Sequence, residues 1–268
     1  MAETWQDIEN DCYEYLCNKY GKSAKFIPMG NHDSTRPDIQ VIPPVKTSFF
    51  METKSKEAQC GQFVLIPNEA SEKFDYSSKN KTPVFSSTEI IIQHMDYNFE
   101  SFFNAGTKGK PIELHVQHFY SWIIDYYSSK GVKYFITKAN ESNGSFIIFP
   151  INKFSHYFDV TCTYRMKKSG SSNVAASNLT EFKSILTEHN INGELSFSGK
   201  ELFLKTALNL DGKKIRGQKY TYLFKRSVND NYVIRRLSNT CNSNVIFSIH
   251  LKKFSQDEED LLNFVNSL

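Results

Sequence analysis

At Val132 the hydrophobic pattern of this 268-residue chain changes its period, and that change decides the fold class. Before it, apolar residues recur every three or four positions. Trp5, Ile8, Cys12, Leu16 and Tyr20 mark an amphipathic helix over 4–20, opened by a capping box of Thr4 and Asp7. Ser86 with Glu89 opens another, carrying Ile92, Met95, Phe99 and Phe102. Pro111 suits the first position of a third, which carries Val116, Phe119, Ile123 and Tyr126 and ends at Gly131. Two strands, 38–42 and 48–54, interrupt these helices and are separated by Pro43-Pro44. After Val132 the alternation falls to two. Residues 133–137 and 145–149 read as a hairpin through Asn143-Gly144. Strands follow near 160–167, 194–198, 201–206, 219–225, 231–237 and 244–251, with short helices at 152–157, 179–189 and 255–268. Polar loops are expected over 69–81 and 168–178. The fold class is α+β, with a helix–hairpin–helices front half and a strand-rich back half.

Charge divides the chain along a similar line. Residues 1–159 hold 16 Lys/Arg against 19 Asp/Glu, residues 160–253 hold 16 against 6, and the last 15 hold four acids and no base. A basic segment beside an acidic one suits a polyanion surface joined to a region that uses carboxylates, although a solvated lysine-rich surface has the same composition. The longest apolar runs, 90–92 and 146–150, fall far short of the ~18 residues of a membrane span. Residues 1–9 are acidic and polar, so no leader is expected. Five cysteines without a CxxC pair fit a reducing cytosol and argue against a disulfide framework or zinc ribbon.

Chemistry concentrates between residues 37 and 54. Glu52 and Lys54 are two apart on a strand and share a face. A hairpin centred near residue 45 places Asp38 opposite Glu52. Two carboxylates on one face can hold a hard divalent cation such as Mg²⁺, which takes oxygen ligands and assists phosphodiester hydrolysis. Lys54 can position or deprotonate water or stabilise the developing oxyanion. An exposed hairpin with an ion pair would show the same three residues. The apolar run Phe49-Phe50-Met51 favours the functional reading, because a buried strand ending in charges needs those charges paired or metal-bound. His115 and His118, three apart, lack a third ligand.

The segment from Glu52 to Asn68 closely resembles the catalytic segment of the HhaI-like type II restriction endonucleases. The resemblance continues, in the same order, through 73–77, 146–150, 162–171, 237–240 and 244–249, and is poor over 172–236. It implies a PD-(D/E)xK nuclease core with a mixed β-sheet flanked by helices, joined to strand-rich DNA-recognition and accessory domains. It implies a Mg²⁺-dependent, site-specific deoxyribonuclease that cuts double-stranded DNA at GCGC, leaving 5′-phosphate ends. It further implies a monomer cutting one strand at a time in the prokaryotic cytoplasm, alongside a cognate DNA methyltransferase. Carried over, Asp38 and Glu52 are metal ligands and Lys54 is the catalytic lysine. Pro37 and Thr53 depart from the family's serine and alanine, and the 13 residues between Asp38 and Glu52 make a longer spacer. Alternatives are a structure-specific repair or junction nuclease of the same superfamily and a non-catalytic DNA-binding protein.

Gln59 and Gln62 either support the site or lie on a helix surface. For base reading, Arg or Lys suits guanine and amides suit cytosine. Arg165, Lys167, Lys168, Ser169 and Ser171 have that chemistry in one segment, and Asn239, Asn242 and Asn244 in another; each cation can equally contact phosphate. Arg235 and Arg236, with the lysines of 213–226, suit backbone phosphates. The expected division is a catalytic part over 1–130, a recognition part over 131–171 with 237–268, and a basic accessory part over 172–236.

Overall fold

A computed structural model describes residues 4–29, 36–140, 145–168, 171–218, 220–227, 231–238 and 241–268; at 140, 167, 168, 238, 241 and 242 it describes the backbone alone. The elements up to residue 129 are α1 (Trp5–Tyr20), β1 (Lys25–Pro28), β2 (Ile39–Ile42), β3 (Phe49–Lys54), β4 (Glu57–Asn68), β5 (Lys73–Tyr76), α2 (Ser86–Tyr97), α3 (Phe99–Phe103), β6 (Lys110–Pro111) and α4 (Gln117–Ser129). β7 (Val132–Asn140), β8 (Ser145–Pro150), α5 (Phe154–Tyr157), β9 (Phe158–Lys168), β10 (Ser171–Asn173), α6 (Leu179–Glu188), β11 (Glu194–Ser198) and β12 (Glu201–Lys205) come next. The chain closes with β13 (Lys214–Arg216), β14 (Tyr220–Arg226), β15 (Asn231–Ser238), β16 (Cys241–Leu251) and α7 (Glu258–Val265). No helix among the described residues is long and apolar enough to cross a membrane.

The chain divides into two compact units, Met1–Arg165 with Asn244–Leu268, and Met166–Ser243. These are bounds of packing; the three-part division of roles expected from the sequence stays a proposal. No boundary falls at 130, because β7 pairs in parallel with β3 and ties the following residues into the same sheet as the catalytic strand.

In the first unit a mixed sheet runs in the order β1-β2-β3-β7-β8. One face buries Phe26, Val41, Met51, Ile136 and Ile148 against Cys12, Leu16 and Tyr20 of α1 and Phe264 of α7. α1 starts where the sequence places it: Asp7 N–H donates to Thr4 Oγ1 at 3.3 Å, and Thr4 N–H to Asp7 Oδ2 at 2.8 Å. The other face buries Phe135 and Phe149 in a larger core with Trp122, Ile123 and Tyr127 of α4 and with β4. β4 belongs to a second sheet, ordered β5-β4-β16-β9-β6. In the second unit β10 and β11–β15 form an antiparallel sheet, and α6 packs Phe182, Ile185 and Leu186 against Leu202, Tyr222, Phe224 and Ile234.

Four local expectations are corrected. Pro111 lies on β6, paired with Thr163, and the helix starts six residues later at Gln117. A proline without an N–H fits a strand end as well as a helix start, so tertiary pairing decides. The 69–81 loop contains β5, and the 168–178 loop contains β10. Ser86 is the first residue of α2 rather than its cap; the preceding Phe85 donates its N–H to Thr88 Oγ1 at 3.3 Å. The expected turn at Asn143-Gly144 lies outside the described residues.

Candidate active site

β2 and β3 set the geometry. Ile39 pairs with Met51, Gln40 with Phe50 and Val41 with Phe49, which is the register of a hairpin centred on residue 45. Ile39, Val41, Phe49 and Met51 are buried toward α1 and α7. The two-residue alternation of a strand turns Glu52 and Lys54 to the opposite face, toward α4. Asp38 Oδ2 accepts hydrogen bonds from Thr53 N at 2.8 Å and Thr53 Oγ1 at 2.7 Å. Lys54 Nζ donates to Glu52 Oε1 at 2.6 Å and lies 5.3 Å from the ring centre of Tyr127 on α4.

Glu52 is buried, with 6% of its surface exposed, and Oε2 has no hydrogen-bond partner among the described residues. Burial pushes its carboxyl above the ordinary glutamate value; Lys54 opposes that rise and Asp38 adds to it. Burial disfavours the charge on Lys54, yet Glu52 and Asp38 outweigh it and hold the ammonium above the ordinary lysine value. Lys54 is a fixed cation at neutral pH.

A cleft of about 930 Å³ opens onto this face. Gln59 and Gln62 line it from β4, so the helix-surface alternative is overturned. Gly61 explains how both glutamines reach one side. Its φ of +139° interrupts the strand's alternation, and the buried residues run Cys60, Phe63, Leu65 rather than strictly every second position. Gln59 Nε2 then donates to Gln62 Oε1 at 3.1 Å. Cys60 points inward beside Tyr127, and burial pushes its thiol up to about 12, so it is a packing residue.

Glu9 and Lys130 are among the residues of this cleft that the sequence reading passed over. Glu9 stands on α1; burial and then Asp38 push its carboxyl up to about 7, with Lys54 opposing. Lys130 follows α4, its Nζ 4.1 Å from the ring centre of Tyr126. The signal for Lys130 was present as Trp122, Tyr126 and Lys130 at helical spacing ahead of Gly131. Nothing marked Glu9, because its nearness to Asp38 depends on how α1 packs on the sheet.

Two carboxylates lining one cleft, with a buried oxygen lacking a partner among the described residues, suit a divalent cation bound through oxygen. No group of three or more His, Cys, Asp or Glu side chains is assembled among the described residues. Such a cation would complete its shell with water or substrate oxygens, as a cation held by one or two carboxylates does.

The residues expected to meet DNA are distributed differently. Arg165 is half-buried on β9, with its Nε buried and unpartnered among the described residues. Asn244 on β16 is only 3% exposed, so it faces the interior. Ser171 is exposed on β10. Arg235 and Arg236 are engaged within their own unit. Arg235 donates to Asn173 Oδ1 and, at 3.3 Å, to Ser171 O. Arg236 donates to Ser172 Oγ at 3.1 Å and Asn178 Oδ1 at 2.5 Å, and its guanidinium lies 4.2 Å from the ring centre of Tyr220. Ser169 and Asn239, and the side chains of Lys167, Lys168 and Asn242, lie outside the described residues.

No model of a protein family matches the chain, and no curated protein does. Among solved structures, the chain is similar to HhaI endonuclease in complex with DNA. The two are 43% identical, the match covers 98% of each chain, and the TM-score is 0.74. A likeness of that identity over essentially the full length reaches both units and every element around the carboxylate pair. With this α+β fold and its nuclease core of the PD-(D/E)xK type, the chain belongs to the HhaI-like type II restriction endonucleases.

Proposed function

We propose that this protein hydrolyses double-stranded DNA at GCGC in a Mg²⁺-dependent reaction, as a monomer with one active centre, leaving 5′-phosphate and 3′-hydroxyl ends. The observation that carries this reading is the intact Asp38, Glu52 and Lys54 constellation in a chain 43% identical, end to end, to HhaI endonuclease. Asp38 and Glu52 are the residues that would hold Mg²⁺. When bound there, the cation lowers the pKa of a coordinated water and polarises a phosphoryl oxygen.

The protein's own groups do the remainder. Thr53 fixes Asp38 through two hydrogen bonds to one oxygen. Lys54, held charged by its neighbours, offsets negative charge at the pentavalent phosphorus. Gln59 and Gln62, paired on the cleft wall, have amide groups for phosphate oxygens or ordered water. Arg165 and Ser171, with the undescribed side chains of Lys167, Lys168, Ser169, Asn239 and Asn242, remain the proposed readers and backbone contacts. Arg235 and Arg236 belong with them as supports, since several of their donors hold β10 and its neighbours. The reading implies a prokaryotic cytoplasmic enzyme paired with a methyltransferase that protects host DNA.

The test is digestion of unmethylated plasmid of known sequence with Mg²⁺ or chelator, followed by sequencing of the fragment ends. Discrete Mg²⁺-dependent fragments ending at GCGC are expected. Fragments at another sequence overturn the specificity. Cleavage of flaps or junctions alone points to a structure-specific nuclease, and binding without scission points to a non-catalytic protein.

A further inference from the structure

Residues 77–82, which follow β5, are polar throughout, so no apolar side chain fixes them. Hydrogen bonds to β4 do so instead. Ser77 N donates to Val64 O at 3.1 Å, and Asn80 N to Ser77 O at 3.0 Å. The Asn80 side chain docks like an added strand residue: its Nδ2 donates to Val64 O at 2.8 Å, and its Oδ1 accepts from Val64 N at 2.8 Å. Lys79 N donates to Ser77 Oγ at 3.3 Å, and the Tyr76 hydroxyl to Thr82 O at 3.0 Å. Val64 stands two residues beyond Gln62, so the loop is tied to the wall that carries the glutamines. With Asn80 turned to β4, Lys79 and Lys81 on either side of it are exposed and line the cleft of Asp38, Glu52 and Lys54. Among the described residues neither ammonium pairs with a carboxylate.

Lysines that serve only solubility need no loop fixed in this way. A segment ordered beforehand loses little further conformational entropy when a ligand arrives. Two cations on the rim of one cleft raise the local concentration of a polyanion, and lysine binds phosphate as a point charge. We propose that Lys79 and Lys81 form a phosphate-binding rim that grips the backbone of the DNA strand entering the cleft, with Asn80 as the residue that positions them. This assignment rests on the nuclease reading and extends it. It gives the first unit a backbone contact of its own, separate from the basic residues of 213–226. Lys54 is held by Glu52 inside the site, whereas Lys79 and Lys81 stand at its edge and meet the strand on either side of the bond that is cut.

The test uses the full-length protein and three variants: the double Lys79→Gln/Lys81→Gln, the control double Lys22→Gln/Lys25→Gln, and Asn80→Ala. Lys22 and Lys25 are exposed and lie outside this cleft. Binding of a duplex containing GCGC is measured in chelator over a range of salt, and cleavage is measured with Mg²⁺. Two phosphate contacts predict that the rim double lowers the slope of log affinity against log salt by ~1.8, at ~0.9 for each contact, while the control double leaves it unchanged. An unchanged slope and affinity in the rim double, beside a wild type that binds and cuts, overturns the assignment alone. An equal fall in both doubles overturns it too, because general loss of surface charge then explains the effect. Asn80→Ala keeps both charges and should weaken binding several-fold, since the loop must then be ordered on contact. Unchanged affinity in that variant overturns the positioning role of Asn80. A wild type that neither binds nor cuts duplex DNA overturns the nuclease reading, and the rim falls with it.

Discussion

Asp38 holds its position through Thr53, whose N–H and hydroxyl both donate to Oδ2. An alanine at this position supplies only the N–H. Thr53→Ala should therefore leave the site assembled and lower turnover several-fold, the weight of one hydrogen bond of ~1 kcal/mol. Single-turnover rates at saturating Mg²⁺ check this; an unchanged rate would leave the hydroxyl without a role. Asp38→Asn or Glu52→Gln should abolish cleavage while preserving duplex binding in chelator, and normal cutting by either would sink the site. Glu9 titrates with the opposite sense to most surface carboxylates. Its folded value of about 7 stands above the ordinary 4.5, so the folded state binds its proton more tightly. That contribution to stability is full below about 4.5 and is lost as pH rises through about 7. In metal-free protein, Glu9→Gln should gain on the wild type in thermal melts as pH climbs from 5 to 8, and parallel curves would contradict the placement of Glu9.

At the scale of elements, β4 and α4 touch at Gly61. A Cβ there would meet Trp122 Cζ3 at 2.7 Å, on a backbone that L-residues rarely adopt. Gly61→Ala should cost about 1–3 kcal/mol in denaturant unfolding and disturb the Gln59–Gln62 pair beside it. Stability equal to wild type would mean that β4 shifts freely, contrary to its buried Cys60, Phe63 and Leu65. β10 depends on β15 in a comparable way, since three residues pair and two arginines bind its side chains or backbone. Periodicity alone cannot show such a strand. β10 is too short to display alternation, and what holds it comes from more than 60 residues further along the chain.

For the whole molecule, the second unit encloses its own core of Phe182, Leu202, Tyr222, Phe224 and Ile234 beneath an antiparallel sheet. Residues 166–243 expressed alone should give a β-rich circular dichroism spectrum and a cooperative melt, less stable than the full chain because small domains bury proportionally less surface. A non-cooperative melt would mean that its fold needs the first unit. The basic excess read in the back half falls mostly in this unit, while the carboxylate pair lies in the other.

The sequence alone determined the α+β class, the start of α1, the β2–β3 register and the shared face of Glu52 and Lys54. All are local consequences of capping, two-residue alternation and hairpin symmetry, which act over a few residues. Tertiary structure decided the rest. It moved Pro111 onto a strand, made a strand of Gln59 and Gln62, and tied 131–165 to the first unit through the parallel β3–β7 pairing. It brought Glu9 and Lys130 to the carboxylates and turned Asn244 inward. Each of these depends on which distant residue fills the neighbouring space, and burial and strand pairing settle that only once the chain is folded.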